Sequence, residues 1–340
     1  MAFVGGIQWR GEEARHANAR WCVRRLAAGV PERACRGAAA VWGTRMSAMG
    51  AQAEAGSAAA TAAVRKRFVA LKADAFRHPV DVQATRILRS LFVLEFALRR
   101  MLAVVEYAFY LDNLSSSVLV SDRQLPEVHT LLKDACEILC IEEVPQLYIR
   151  SNPVPNAYTM AFQGKQPSIV VHSSLVDMLS PAELQAVIAH ELGHLKCEHG
   201  VWVTMANLVM LFTQTFGGTL AARLTDAMNL ALMQWLRAAE LTCDRAALLV
   251  AQDPNVVVSV LMKLSGGAVN NLSSQLNVKE YIRQVEMFET ASKNPLGRLF
   301  RRGMTEGLSH PLPVLRVKEL VQYSKSSEYK ALIGSTATTR

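Results

Sequence analysis

His190-Glu191-Leu192-Gly193-His194 sets two imidazoles four residues apart, with a carboxylate directly after the first. On a helix, positions i and i+4 project from one face about 6 Å apart along the axis, so both rings can reach one metal ion. Glu191 stands about 100° round the helix, beside such an ion and not facing it. That is where a base acting on water at the metal belongs. With 8 His and 20 Glu in 340 residues, the pattern arises by chance about once in 100 such sequences. Its setting adds weight. Ser180-Pro181-Ala182-Glu183 reads as a helix start, with Ser as N-cap, Pro in the first turn and Glu closing a capping box.

A catalytic metal needs a third protein ligand and an open fourth position. Cys197 shares the His190 face but lies about 10 Å along the axis, too far for one ion to join all three. His199 falls roughly opposite that face and reads as a packing or capping residue. The ligand must come from another segment, and Glu240 is the candidate. Residues 201–222 carry no charge and are interrupted by Gly217-Gly218. As a helical hairpin, an arm of about 16 residues climbs roughly 24 Å, the glycines turn, and an equal arm returns Glu240 to the level of the histidines. Asp244 follows at i+4 on the same face, suited to accept a hydrogen bond from a ligating imidazole and fix its tautomer. The plain alternative, an acidic pair on a solvated helix face, fits poorly in so apolar a segment.

From about residue 146 to 320 the chain resembles the HtpX-like and CAAX-prenyl-protease-like zinc metallopeptidases. The residues that carry the likeness are Asn156-Ala157-Tyr158 in an edge-strand position, Ile169-Val170-Val171-His172 followed by Leu175, the HELGH helix, Glu240 with Asp244, and Ser309-His310-Pro311 with Arg316. The resemblance implies a zinc endopeptidase acting on protein or peptide substrates. It places His190, His194 and Glu240 on one Zn2+, Glu191 as general base and Asp244 behind a ligand. His310, Arg316 and Asn156 would lie near the substrate or transition state. The wording QLYIRSNPVPNAY and LKCEHG looks closest to plastid and cyanobacterial members.

The elements that must position these residues read as an α+β, predominantly helical domain of zincin type, with a small sheet and the HExxH helix. Apolar residues recur at helical spacing over 82–110, and a second helix is expected over 125–141, ending before Val144-Pro145. Short β-like runs follow at 146–150, 157–162 and 168–172, divided by Asn152-Pro153 and Gly164-Lys165 turn signals. After His172 the pattern is helical almost to the end. The expected organisation is a leader over 1–67, an amphipathic helical region over 68–124, the metallopeptidase domain over 125–332 and a disordered tail over 333–340. Thr204, Asn207, Thr213, Gln214 and the glycine pair interrupt the run at 201–222, and an arm of about 24 Å falls short of a roughly 30 Å hydrocarbon core. It reads as a core hairpin, or as one whose tip dips into a membrane or lipid-particle surface.

The charge is unevenly spread. Of 37 basic and 29 acidic residues, 11 basic and 4 acidic fall in residues 1–67, leaving 26 against 25 in the rest. A near-neutral body argues against nucleic-acid binding. The leader, with 19 alanines and few acids, looks like an organelle transit peptide. Composition leaves chloroplast and mitochondrion open, and the resemblance favours chloroplast. With 51% hydrophobic and 19% charged residues the body can bury a sizeable core. Six cysteines are too few for a disulfide scaffold, and Cys136 and Cys140, at i and i+4 on one helix face, read as small core residues. The rival function is a catalytically idle, lipid-associated scaffold with a structural zinc. Intact Glu191 speaks against it, because a structural site needs no base.

Overall fold

Local signals account for most of the elements. The computed structural model describes residues 65–90, 106–161, 167–216, 218–266, 275–306 and 308–334. The leader up to residue 64, residues 91–105 of the amphipathic stretch, the Gly164-Lys165 turn and the tail from residue 335 lie outside the described residues. In chain order the elements are α1 (Pro79–Arg89), α2 (106–116), β1 (Val118–Leu119), α3 (Pro126–Ile138), β2 (Gln146–Arg150), β3 (Ala157–Met160) and β4 (Ser168–His172). Then come α4 (Ser173–Met178), α5 (Pro181–Lys196), α6 (His199–Phe216), α7 (Gly218–Ala251), α8 (Pro254–Gly266), α9 (Val278–Ala291), α10 (Pro295–Glu306), α11 (Pro313–Lys325) and α12 (Ser327–Gly334).

The sheet runs β1-β2-β4-β3, with β2 and β4 parallel and the two outer strands antiparallel to their neighbours. Ala157 of β3 pairs with Val171 and Met160 with Ser168, so the strand expected at an edge does end the sheet. Buried Leu147, Ile169 and Val171 pack into one core with Ile188 and Leu192 of α5, Ala246 to Val250 of α7, and the inner faces of α8 and α11. Phe76, ahead of α1, and Val120 join the same core. A second cluster, Trp202, Val203 and Met205 of α6 with Leu232 and Trp235 of α7, fastens the hairpin arms together. Among the described residues no helix is long and apolar enough to cross a membrane.

One expectation fails at the end of α3. The helix stops at Ile138, not Ile141, because the Ile141 N–H turns back to the Cys136 carbonyl at 2.9 Å and the Cys140 N–H to Glu137 at 3.2 Å. This is a Schellman closure, with Cys140 in the left-handed position at φ 53°. Cys136 is core, as expected; Cys140 is off the helix, and its thiol donates to the Phe68 carbonyl at 3.1 Å.

Candidate metal centre

The histidines ride on a helix buried almost all round. From Glu183 to His194, every residue of α5 but His190 is buried. Its N-terminus is fixed by the expected capping box: the Glu183 N–H donates to Ser180 Oγ, and the Ser180 N–H donates to Glu183 Oε2 at 2.7 Å. Glu183 also accepts from Ser259 Oγ and Lys263 Nζ, both at 2.6 Å, which ties α5 to α8. α7 crosses α5 closely at Gly193. A Cβ there would stand 3.0 Å from Ala246 Cβ and 3.2 Å from Cys243 Cα and Sγ. The glycine of HELGH therefore lets α7 approach, and with it Glu240 and Asp244.

The two rings lie with centroids 5.1 Å apart, and each has its Nδ1 engaged away from the centre. His190 Nδ1 is 3.2 Å from Asp244 Oδ1, and His194 Nδ1 is 3.1 Å from His199 Nδ1. Both Nε2 atoms turn to the Glu240 carboxylate, at 3.5 Å from His190 and 3.4 Å from His194. These are not hydrogen bonds, and His194 Nε2 is buried without one. Donors about 2.05 Å from a tetrahedral zinc stand roughly 3.3 Å from each other, so the spacing fits a shared ion. His310 Nδ1 lies 3.2 Å from Glu240 Oε1.

Cys243 Sγ also lies within 4.8 Å of ring nitrogens of both histidines. Burial, reinforced by Cys197 and Glu240, pushes its thiol well above 9, and its sulfur sits 3.7 Å from His199 Nδ1. Glu240 is the opposite case: burial would raise its pKa, but His310, His190 and His194 hold it well below the usual carboxylate range. Two imidazoles with Glu240 make a donor set that zinc takes, and with Cys243 they would make another.

Burial raises Glu191 to about 8, and its Oε2 is buried without a partner. Beside it a cavity of about 30 Å3, room for one water, is lined by Glu191, His190 and Ala157, with Val257 and Leu261 of α8 as an apolar wall. Asn156 directly precedes β3; its carbonyl accepts from the His172 N–H at 2.9 Å, and its Oδ1 is buried and unbonded. Arg316, expected near substrate, has its guanidinium committed to Asp244, with Nε 2.8 Å from Oδ2 and an NH2 group 2.6 Å from Oδ1. Its remaining nitrogen is 3.6 Å from Glu240 Oε2.

Residues 122–324 match the model of peptidase family M48. The chain belongs to peptidase family M48. It is a metallopeptidase, of a class whose activity depends on metal. Over 270 residues this M48 chain is 53% identical to "Plastoglobule-localized metallopeptidase 48, chloroplastic" of Arabidopsis thaliana, covering 78% of the chain and 77% of that protein. It is 28% identical to "Protease HtpX homolog 2" of Methanosarcina acetivorans, over 46% of the chain and 63% of that protein. The crystal structure of S. mikatae Ste24p overlaps it with a TM-score of 0.40 at 19% identity, over 69% of this chain and 57% of that one.

Behind the metal side of the M48 site stands a layer that sequence reasoning did not find. Asp81, fully buried on α1, accepts from His199 Nε2 at 3.1 Å, Thr242 Oγ1 at 2.9 Å and Trp235 Nε1 at 2.9 Å. If His194 gives Nε2 to a metal, its Nδ1–H donates to His199 Nδ1, and the His199 Nε2–H donates to Asp81. One chain of hydrogen bonds thus sets both tautomers. His199, expected to pack, packs as the middle of that chain. Asp81, Cys197 and His199 also lie close enough to suggest a second ion. Arg77, with its guanidinium 3.9 Å from Asp81 and 2.7 Å from the Cys197 carbonyl, already fills the cationic role there.

Proposed function

We propose that this M48 chain is a zinc endopeptidase of the plastid that hydrolyses peptide bonds of protein substrates at or near a lipid surface. The reading rests on the convergence of His190 Nε2, His194 Nε2 and the Glu240 carboxylate, next to a buried Glu191 with an unpaired oxygen. A zinc ion held by those three residues would polarise the scissile carbonyl and acidify a water. Glu191 takes the proton of that water as it attacks, and delivers it to the amine that leaves when the C–N bond breaks. Asp244, locked by Arg316, holds His190 with Nε2 inward, and the His199–Asp81 pair does the same for His194.

β3 ends the sheet, and its Ala157 lines the cavity beside Glu191. An extended peptide can add to that edge by main-chain hydrogen bonds, which makes little demand on sequence. Asn156 Oδ1, buried and unbonded, is a ready acceptor for a substrate N–H. The plastid location is supported by the Arg-rich leader and by the chloroplastic relative; the lipid surface is supported by that relative's plastoglobule name. Glu191→Gln should retain zinc and lose casein cleavage by about a hundredfold or more. A Gln variant with wild-type cleavage would remove Glu191 from the chemistry.

A further inference from the structure

α10 is strongly amphipathic, and it is mounted with its apolar face outward. At 100° per residue Leu299, Leu296, Phe300 and Met304 occupy one arc of about 140°, while Arg298, Arg301 and Arg302 lie on the other side. The apolar side chains are 66%, 62%, 62% and 47% exposed. The face turned to the protein is instead Gly297, Arg301 and Thr305. Arg301 pairs with Glu289 of α9 at 2.9 Å, and a Cβ on Gly297 would run into the Ala291 carbonyl. The Gly297 N–H is capped by Asn294 Oδ1 at 2.7 Å, and Arg237 of α7 clamps the other end by donating to the Thr305 and Leu308 carbonyls at 3.3 and 2.9 Å. The outward orientation is thus specified by contacts at both ends and along the inner face.

A soluble helix normally buries such an arc, and a contiguous exposed patch rimmed by polar groups marks an interaction surface. The arc itself contains no charge; exposed Arg302 lies about 60° beyond its Leu299 edge, and exposed Lys293 stands just ahead of the helix. Long basic side chains at the border of an apolar arc can reach phosphate headgroups while the arc sinks among acyl chains. We propose that α10 docks this protein, apolar face down, on an anionic lipid surface. This deepens the lipid-surface part of the function proposed above by naming an element that makes the contact. Two residues after Leu308 the chain reaches His310, 3.2 Å from Glu240, so the docked helix leads directly into the active site.

Flotation of the full chain tests this, with vesicles of phosphatidylcholine alone or mixed equally with phosphatidylglycerol. The basic leader contributes alike to wild type and variants, so the difference between them is what counts. Wild type should float with the mixed vesicles. Leu299→Glu with Phe300→Glu should lower that partition by about tenfold or more. Lys293→Gln with Arg302→Gln should lower it roughly tenfold on mixed vesicles and leave the pure ones unaffected. All four side chains are exposed, and circular dichroism checks the fold. Wild type that binds neither vesicle, or variants that float as well as wild type, would overturn the proposal. So would a dimer in vesicle-free buffer that the Leu299/Phe300 variant splits while its flotation is unchanged, because the arc would then face a second copy. Casein cleavage by the same wild-type preparation separates the two readings: protein that floats but does not cleave keeps the docking and loses the protease, and the reverse result does the opposite.

Discussion

Gly193→Ala pits two opposite effects against each other at the α5–α7 crossing. Helix propensity alone favours alanine by about 1 kcal/mol. Against this, the new Cβ would meet Ala246 Cβ at 3.0 Å and Cys243 Cα at 3.2 Å, where carbon contacts settle at about 3.5–4.0 Å. Neither neighbour can rotate away, since one is a methyl on its own backbone and the other is backbone. The helices must part by about 0.5 Å, an overpacking cost of roughly 1–3 kcal/mol. The net effect is a loss of about 0–2 kcal/mol, or a few degrees in Tm. The larger consequence falls on the metal. Cys243 lies beside Asp244 and less than a turn beyond Glu240, so the shift carries Glu240, the proposed third ligand, away from His190 and His194, now 3.5 and 3.4 Å from it. Zinc affinity should fall about 10- to 100-fold. Competition with a chromophoric chelator measures this, with thermal unfolding of the stripped protein alongside. A variant that binds zinc as tightly as wild type and melts higher, as propensity alone would have it, would refute the close-crossing argument.

Asp81→Asn removes an acceptor from a carboxylate that serves His199, Thr242 and Trp235, leaving at least one buried donor unpaired. It should cost about 1–3 kcal/mol in stability and weaken zinc about tenfold, read by melting and chelator competition; undiminished zinc affinity would show that the relay does not reach His194. Glu183→Gln tests the α5 anchor through pH. Burial alone would raise the Glu183 pKa, but Lys263, Ser259 and the Ser180 N–H bring it below the ordinary value. A depressed carboxylate stabilises fully above its unfolded pKa of about 4.3 and loses that contribution as pH falls through the folded one. The variant should therefore melt lower than wild type at pH 7, with the gap closing below about pH 4; a gap that stays constant with pH would assign the loss to packing instead.

What could be read from the sequence is what short-range chemistry dictates. The capping box, the i and i+4 histidines and the strands at 146–150 and 168–172 depend on neighbours within a few residues, and the structure keeps them. Glu240 was reachable because two helical arms of similar rise return to the same level. Asp81 was not. In sequence it is an acid in the first turn of a helix, where it favours the dipole and needs no other explanation. Its partner His199 comes 118 residues later. Arg316 was placed near the site by its motif, but its bidentate grip on Asp244 depends on how α11 packs against α7. The early end of α3 was hidden for another reason: a Cys, not a Gly, takes the left-handed closing position.

The same packing sets the electrostatics that make a cation the fitting occupant. Around the two Nε2 atoms and the layer behind them, Glu191, Glu240, Asp244 and Asp81 are all buried, against the buried guanidiniums of Arg316 and Arg77. When ionised, these four carboxylates outnumber the two guanidiniums, so the site gathers an excess of buried negative charge. A bound cation offsets that excess. Glu191 is the group whose ionisation yields first, because burial raises it to about 8 while Glu240 and Asp244 are held below their ordinary values by partners. A dication beside it lowers that pKa. On the function proposed above, a dication held by His190, His194 and Glu240 would therefore favour the carboxylate form of Glu191 that a general base needs at neutral pH.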